Sequence, residues 1–233
     1  MRCLYVWPPT IAAFAAESSV SWPVMQSPDI VLYGSIFSRT FTARWMLAEL
    51  DLPYRLEVVD IRQGRHKEAD FLKINPMGKV PTITDHGVVI TETAAICLYL
   101  ADRYGYGSLA PKIEEPERGA YCCWLVFSTA VLEPATLTKD FADPDQGRRV
   151  GWGTYETTIS VTEQALTPGP YLLGGWFTAA DVAFGAVLSV AMFNKRVPDR
   201  PAFQAYNERI SERPAYQRAA EETWPPAELA KLS

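Results

Sequence analysis

Histidine is scarce in this chain: only His66 and His86 occur in 233 residues. Neither falls in a Cys/His spacing suited to zinc, which argues against a metal site. Cys3, Cys97, Cys122 and Cys123 form no C-x-x-C pair and no regular framework. They therefore argue against a disulfide scaffold and for a reduced, cytoplasmic protein, with Cys97, Cys122 and Cys123 read as packing residues. Basic clusters are also missing, pairs such as Arg148-Arg149 and Lys195-Arg196 being the longest. With a net charge of -5, no nucleic-acid partner is expected, because that surface needs clustered Lys and Arg to displace counterions. No uninterrupted apolar run approaches the roughly 20 residues of a bilayer span, so no membrane partner is expected either. What is present is apolar content of 48% against 21% charged residues, enough to build the core of one large or two modest domains.

Residues 1–28 stand apart. Arg2 and the apolar stretch Leu4 to Ala16 resemble a signal peptide only faintly, since Pro8 and Pro9 interrupt it. They read as a poorly ordered extension, with Met25 an alternative start. Beyond it, Ile30 to Gly34 is a short apolar strand closed by glycine. Apolar residues recur at helical spacing from Ser38 to Leu50, and Pro53 prevents continuation. Leu56 to Asp60 reads as the next strand, completing a βαβ unit. A short helix follows around Lys67 to Lys73. Strands Val80 to Thr84 and Val88 to Thr91 flank Asp85-His86-Gly87, a hairpin separator. A helix from Glu92 to Tyr104 should close on Gly105 in the left-handed region.

After Gly107 no strand pattern returns. A linker containing Pro111 and Pro116 leads to helical segments at Glu117 to Leu137, where Pro134 should bend or end the helix, and at Asp145 to Leu166. Ala179 to Phe193 is very apolar and should sit centrally in a bundle. Pro201 to Glu212 and Pro214 to Thr223 start with proline at a favourable position. The expected fold class is α/β followed by all-α: an N-terminal thioredoxin-like domain (βαβ-α-ββα) over 29–106, a linker over 107–114, and an all-helical domain over 115–233.

Asn75 to Pro81, Thr91 to Ile96, Arg65 to Leu72, Tyr33 to Phe41 and Phe177 to Asp181 together resemble segments of the cytosolic glutathione transferase (GST) superfamily, a likeness over nearly all of Asp29 to Glu222. Asn75-Pro76-Met77-Gly78-Lys79-Val80-Pro81 resembles the family segment leading into a cis proline. The resemblance implies that Pro81 is cis and that the Val80 backbone pairs with the cysteinyl part of glutathione. Thr91-Glu92-Thr93-Ala94-Ala95-Ile96 resembles the family's acidic-hydroxyl helix start, although members more often carry serine at Thr93. It implies that Glu92 meets the α-amino group while Thr93 and the helix N–H groups hold the γ-glutamyl carboxylate; a helix N-terminus suits an anion. The plainer alternative is that Thr91 and Glu92 cap the helix. Arg65 to Leu72 resembles a plant-like His-Lys pattern, implying that Lys67 and Lys79, with His66 behind them, bind the glycyl carboxylate. Polar loop residues of this kind are also commonly just solvated.

Tyr33-Gly34-Ser35-Ile36-Phe37-Ser38-Arg39-Thr40-Phe41 resembles the thiol-activating turn of Ser-type members, and its Ser-Arg pair resembles many bacterial ones. Ser38 is the implied catalytic residue and Ser35 the reserve; the structural alternative for Ser38 is helix N-capping. Arg39 either adds positive potential near the thiol or lies in solvent. Phe177-Thr178-Ala179-Ala180-Asp181 resembles the family's capping motif, with Thr178 and Asp181 capping reciprocally. The implied activity is attack of glutathione, a co-substrate used without metal, on a small hydrophobic electrophile in a homodimer. Trp124 and Phe127 are candidates for the electrophile's wall, with a core stripe as the alternative. Competing functions are a glutathione-dependent peroxidase, isomerase or thioether-cleaving enzyme, and a non-catalytic binding protein on the same scaffold.

Overall fold

The structure, a computed structural model, describes residues 28–140 and 146–229. The extension expected over 1–28 therefore lies, apart from Pro28, outside the described residues. The first unit runs β1 (Ile30–Gly34), α1 (Thr40–Glu49), β2 (Tyr54–Val58), a 3₁₀ turn (Arg65–Lys67), α2 (Ala69–Ile74), β3 (Thr82–Asp85), β4 (Val88–Ile90) and α3 (Thr93–Tyr104). The strands form one mixed sheet in the order β2-β1-β3-β4, with β1 parallel to β2 and antiparallel to β3. This is the expected thioredoxin-like arrangement. Leu32 and Ile83, both fully buried, place the apolar face of the sheet against Phe41, Met46, Ile96 and Leu100.

β2 begins two residues earlier than its pattern indicates, because this edge strand has no apolar alternation: Leu56 and Val58 are 37% and 71% exposed. Gly105 ends α3, but at φ −129° rather than in the left-handed region. Its requirement is close approach, since a Cβ there would lie 2.8 Å from Leu50 Cδ2.

All-helical structure follows: α4 (Glu117–Phe127), a π turn (Ser128–Leu132), α5 (Glu133–Leu137), α6 (Gln146–Arg149), α7 (Tyr155–Leu166), α8 (Ala179–Phe193), α9 (Pro201–Ser211), α10 (Pro214–Thr223) and α11 (Pro226–Leu229). Helical structure continues past Pro134 to Leu137, and the turn before it, Ser128–Leu132, is a π turn. Taken whole, Glu117–Leu137 is 21 residues with a mean hydropathy of 1.3, long and apolar enough to cross a membrane. Its apolar run is interrupted by Glu117, Arg118 and Glu133, and it packs Tyr121, Leu125 and Leu132 into the protein core. Arg118 makes a bidentate pair with Asp102 of α3, at 2.6 and 2.7 Å. The single helix expected over Asp145 to Leu166 is two helices, separated around Gly151-Trp152-Gly153; Asp145 itself lies outside the described residues.

α8 is buried along most of its length and sits centrally. Thr178 and Asp181 form the expected capping box, and Asp181 additionally accepts from Leu172 N–H at 2.9 Å and Tyr206 O–H at 3.1 Å. One continuous core joins sheet and bundle. At the junction α10 lies along α1: the Phe41 and Trp45 rings meet Tyr216 edge-on at 5.0 and 4.9 Å, and Trp224 lies 4.6 Å from Phe41. Glu49 of α1 receives both arms of Arg213 at 2.6 Å and the Trp45 indole N–H at 2.8 Å.

Candidate functional site

The register of the sheet brings the sequence motifs to one place. β1 ends as β3 begins, Tyr33 pairing with Thr82, and β4 ends beside that same point, Ile90 pairing with Ile83. The turn after β1 (Ser35 to Ser38), the Val80–Pro81 bend before β3, and the start of α3 after Glu92 therefore converge at one end of the sheet. The Val80–Pro81 peptide is cis, as expected. Val80 precedes the last ladder pair, so its N–H and C=O lie outside the sheet's hydrogen bonding.

The bend is held from inside by Asn75, only 2% exposed. Its amide donates to Lys79 O at 2.9 Å and Thr82 Oγ1 at 3.0 Å, while its carbonyl accepts from Met77 N–H at 3.0 Å. Asn75 lies within the Asn-Pro motif, whose resemblance says nothing of this organising role. An Asn-Pro start with glycine two residues later is a turn signature that could have revealed it. Gly78 is left-handed at φ +58°, and a Cβ there would meet His66 O at 2.5 Å. Only glycine lets the His66-Lys67 turn press against this bend. Lys67 Nζ donates to Met77 O at 3.2 Å, and His66 Nδ1 is buried without a hydrogen-bond partner. His66 and Lys67 thus join the bend, and exposed Lys79 stands on it.

Glu92 has φ +64° and ψ +124°, and no side-chain cap is formed at α3. The capping alternative for Thr91 and Glu92 is not realised. A bulky residue at positive φ is sterically unfavourable, and such positions cluster at ligand sites. Thr93 is the first residue of this twelve-residue helix, where backbone N–H groups are left for an acceptor.

In the β1–α1 turn, Ser38 Oγ donates to Ser35 O at 2.7 Å, accepts from Thr40 N–H at 3.1 Å, and lies 2.8 Å from Thr40 Oγ1. The capping alternative is therefore realised in part, since the hydroxyl does satisfy one N–H at the helix start. Ser35 is 5% exposed, and its N–H donates to Thr40 Oγ1 at 3.0 Å. The turn is pinned to α10 by Phe37 N–H donating to Thr223 O at 3.0 Å, and Arg62 lies 4.6 Å over the Phe37 ring. Arg39 is half exposed, and its guanidinium pairs with Glu133 of α5.

Trp124 meets Phe127 edge-on at 5.2 Å and buried Phe184 edge-on at 6.0 Å, while Phe127 stacks on Phe184 at 6.3 Å. Both are partly buried and pack against the core. A cleft of about 240 Å³ beside the site is lined by Ser35, Ile36, Arg44, Val58, Arg62 and Glu228, among others. Among the described residues no group of three or more His, Cys, Asp or Glu side chains is placed to hold a metal ion.

Comparison with known proteins agrees with this geometry. Residues 38–103 match the family described as glutathione S-transferase, N-terminal domain. The chain is 43% identical over 168 residues to the glutathione S-transferase hmp2 of Hypomyces subiculosus, spanning 66% of this chain and 78% of that one. It is 29% identical over 171 residues to glutathione S-transferase 3 of Schizosaccharomyces pombe, spanning 65% and 70%. Among solved structures, a glutathione transferase from Methylococcus capsulatus superimposes with a TM-score of 0.68 at 30% identity, covering 83% of this chain and 98% of that one. A homologue from Lodderomyces elongisporus, solved with two glutathione molecules per subunit, gives 0.70 at 25% identity over 85% and 99%.

Proposed function

The chain belongs to the glutathione S-transferase family, and from that premise we propose that it clamps glutathione across the sheet end where β1, β3 and α3 meet and activates the thiol with Ser38. The observation that carries this reading is the convergence of the three motif segments through the Tyr33–Thr82 and Ile83–Ile90 pairings. Val80 offers backbone N–H and C=O to the cysteinyl residue. Thr93 and the N-terminus of α3 receive the γ-glutamyl carboxylate, and Glu92 the ammonium. Lys67, Lys79 and His66 face the glycyl carboxylate. Arg39, bound to Glu133, acts on the thiol only through its field.

A free thiol titrates near pH 8.5. Lowering that by about two units requires roughly 2.7 kcal/mol of preferential thiolate stabilisation. The Ser38 hydroxyl supplies it as a hydrogen-bond donor, aided by the N-terminus of α1. To do so the hydroxyl turns from Ser35 O to the sulfur, and the thiol proton leaves to water. The thiolate then attacks a small hydrophobic electrophile. Ser35, with its backbone N–H committed to Thr40, remains the reserve position. The Ser-type, bacterial-like assignment is supported by Ser38 in this turn and by the bacterial structural relative at 30% identity.

We read the organisation as a glutathione-holding domain over 29–106, a connector over 107–114 and a helical domain beyond it. A cytoplasmic, two-fold dimer follows from the family resemblance, and sedimentation tests it. Ser38→Ala tests the thiol assignment through conjugation of a chromogenic aryl halide. We expect kcat/KM to fall about 25-fold at pH 7, approaching a hundredfold well below pH 6.5, as the thiol pKa returns by about two units, with little change in glutathione affinity. An unchanged rate would remove Ser38 from the chemistry.

A further inference from the structure

We propose that Thr40 is a positioning residue that compels Ser38 to act as a donor toward the glutathione sulfur. This inference rests on the Ser38 reading above. Thr40 is fully buried beneath the β1–α1 turn, wedged against Gly34 so closely that a Cβ on that glycine would lie 2.4 Å from the Thr40 methyl. The side chain is enclosed on that side, and its hydroxyl faces two groups.

The hydrogen bonding leaves little freedom. Ser35 N–H donates to Thr40 Oγ1 at 3.0 Å, so one lone pair of that oxygen is occupied. The Ser38 oxygen lies 2.8 Å from Thr40 Oγ1 and receives Thr40 N–H at 3.1 Å. When the Thr40 hydroxyl donates to Ser38, both lone pairs of the Ser38 oxygen are filled, by the N–H and O–H of a single residue. A hydroxyl has two acceptor positions and one donor. Ser38 then has only its proton left to offer, directed to Ser35 O at 2.7 Å in the unliganded turn and to the sulfur when glutathione is bound. Donation into an oxygen polarises its O–H and strengthens the bond it makes in turn. Without the Thr40 hydroxyl, Ser38 has a vacant acceptor and can take the thiol's proton as an acceptor instead, a geometry that favours the neutral thiol.

The test titrates bound glutathione by thiolate ultraviolet absorbance, and measures kcat and the KM for glutathione, in wild type, Thr40→Val, Thr40→Ser and Ser38→Ala. Thr40→Val should raise the bound thiol pKa by about one unit and lower kcat roughly fivefold at pH 6.5, with KM little changed. Thr40→Ser, which keeps the hydroxyl, should restore the wild-type titration. A Thr40→Val titration identical to wild type overturns the inference, provided Ser38→Ala does shift. If Ser38→Ala also leaves the titration in place, the underlying Ser38 reading is what fails. Should Thr40→Val not fold, proton NMR of the wild-type glutathione complex decides. A slowly exchanging Thr40 hydroxyl proton close to the Ser38 methylene supports the inference; a freely exchanging one contradicts it.

Discussion

Removing Arg213 should loosen the attachment of the helical bundle to the sheet unit, and the size of the loss follows from the surroundings of Glu49. That carboxylate is 7% exposed and Arg213 is 28% exposed. The guanidinium delivers two bonds of 2.6 Å and also lies 3.6 Å over the Phe177 ring. Breaking a buried pair from one side costs about 3–5 kcal/mol, because the remaining charge stays buried. Arg213 is partly hydrated and Glu49 retains the Trp45 indole N–H, so Arg213→Ala should cost about 2–3 kcal/mol. Arg213→Lys should recover only part of this, since an ammonium cannot reproduce the planar fork. Replacing both residues by methionine should return stability to within about 1 kcal/mol of wild type, as apolar substitutes for buried pairs commonly do. Urea unfolding reads these differences as shifts of midpoint at constant slope, and adding Arg213→Met and Glu49→Met singly to wild type and the double methionine variant closes a double-mutant cycle. A coupling energy near zero, or an Arg213→Ala midpoint equal to wild type, would refute the view that this pair fastens α10 to α1.

Three further outcomes are expected. Asn75→Ala leaves Met77 N–H without its partner and removes one of the two donors to Lys79 O; the KM for glutathione should rise at least tenfold, and an unchanged KM would detach this bend from substrate binding. Thr178→Ala should cost about 1 kcal/mol of stability through lost capping, measured by urea unfolding. Burial pushes the Asp181 carboxyl up to about 6 from 3.8, outweighing the backbone and hydroxyl donors around it. Between pH 4 and 6 the native chain keeps a proton that the unfolded chain has released. The stability Asp181 contributes therefore falls as pH rises through that interval, by up to about 3 kcal/mol, and is level above it. Wild type compared with Asp181→Asn across pH 4–8 isolates this slope; a difference that is flat or rises with pH would contradict it.

The elements most legible in the sequence are those whose burial is one-sided or complete. β1, α8 and α10 begin and end as their patterns indicate, because Gly34, the Thr178 cap and Pro214 mark their limits and apolar residues fill them. β2 was displaced because its side chains face solvent on an edge. The break between α6 and α7 depends on two glycines that a helical pattern tolerated on paper. Motifs located the site by family resemblance, and sheet register then brought them together. What stayed hidden are partnerships across long separations. Arg39 pairs with Glu133 and Glu49 with Arg213, 94 and 164 positions apart, and nothing local specifies either. The commitment of the Ser38 hydroxyl to Ser35 O and Thr40 is local but geometric, so residue identity alone could not orient it.

The most direct measurement of the central claim is calorimetric titration of the purified protein with reduced glutathione, in wild type and in Thr93→Ala. The account predicts saturable heat for wild type, and for Thr93→Ala an affinity weakened about tenfold, the loss of one hydrogen bond to a carboxylate. Absence of saturation at millimolar glutathione, or equal affinity in the two proteins, would contradict the assignment of this sheet end as the glutathione clamp.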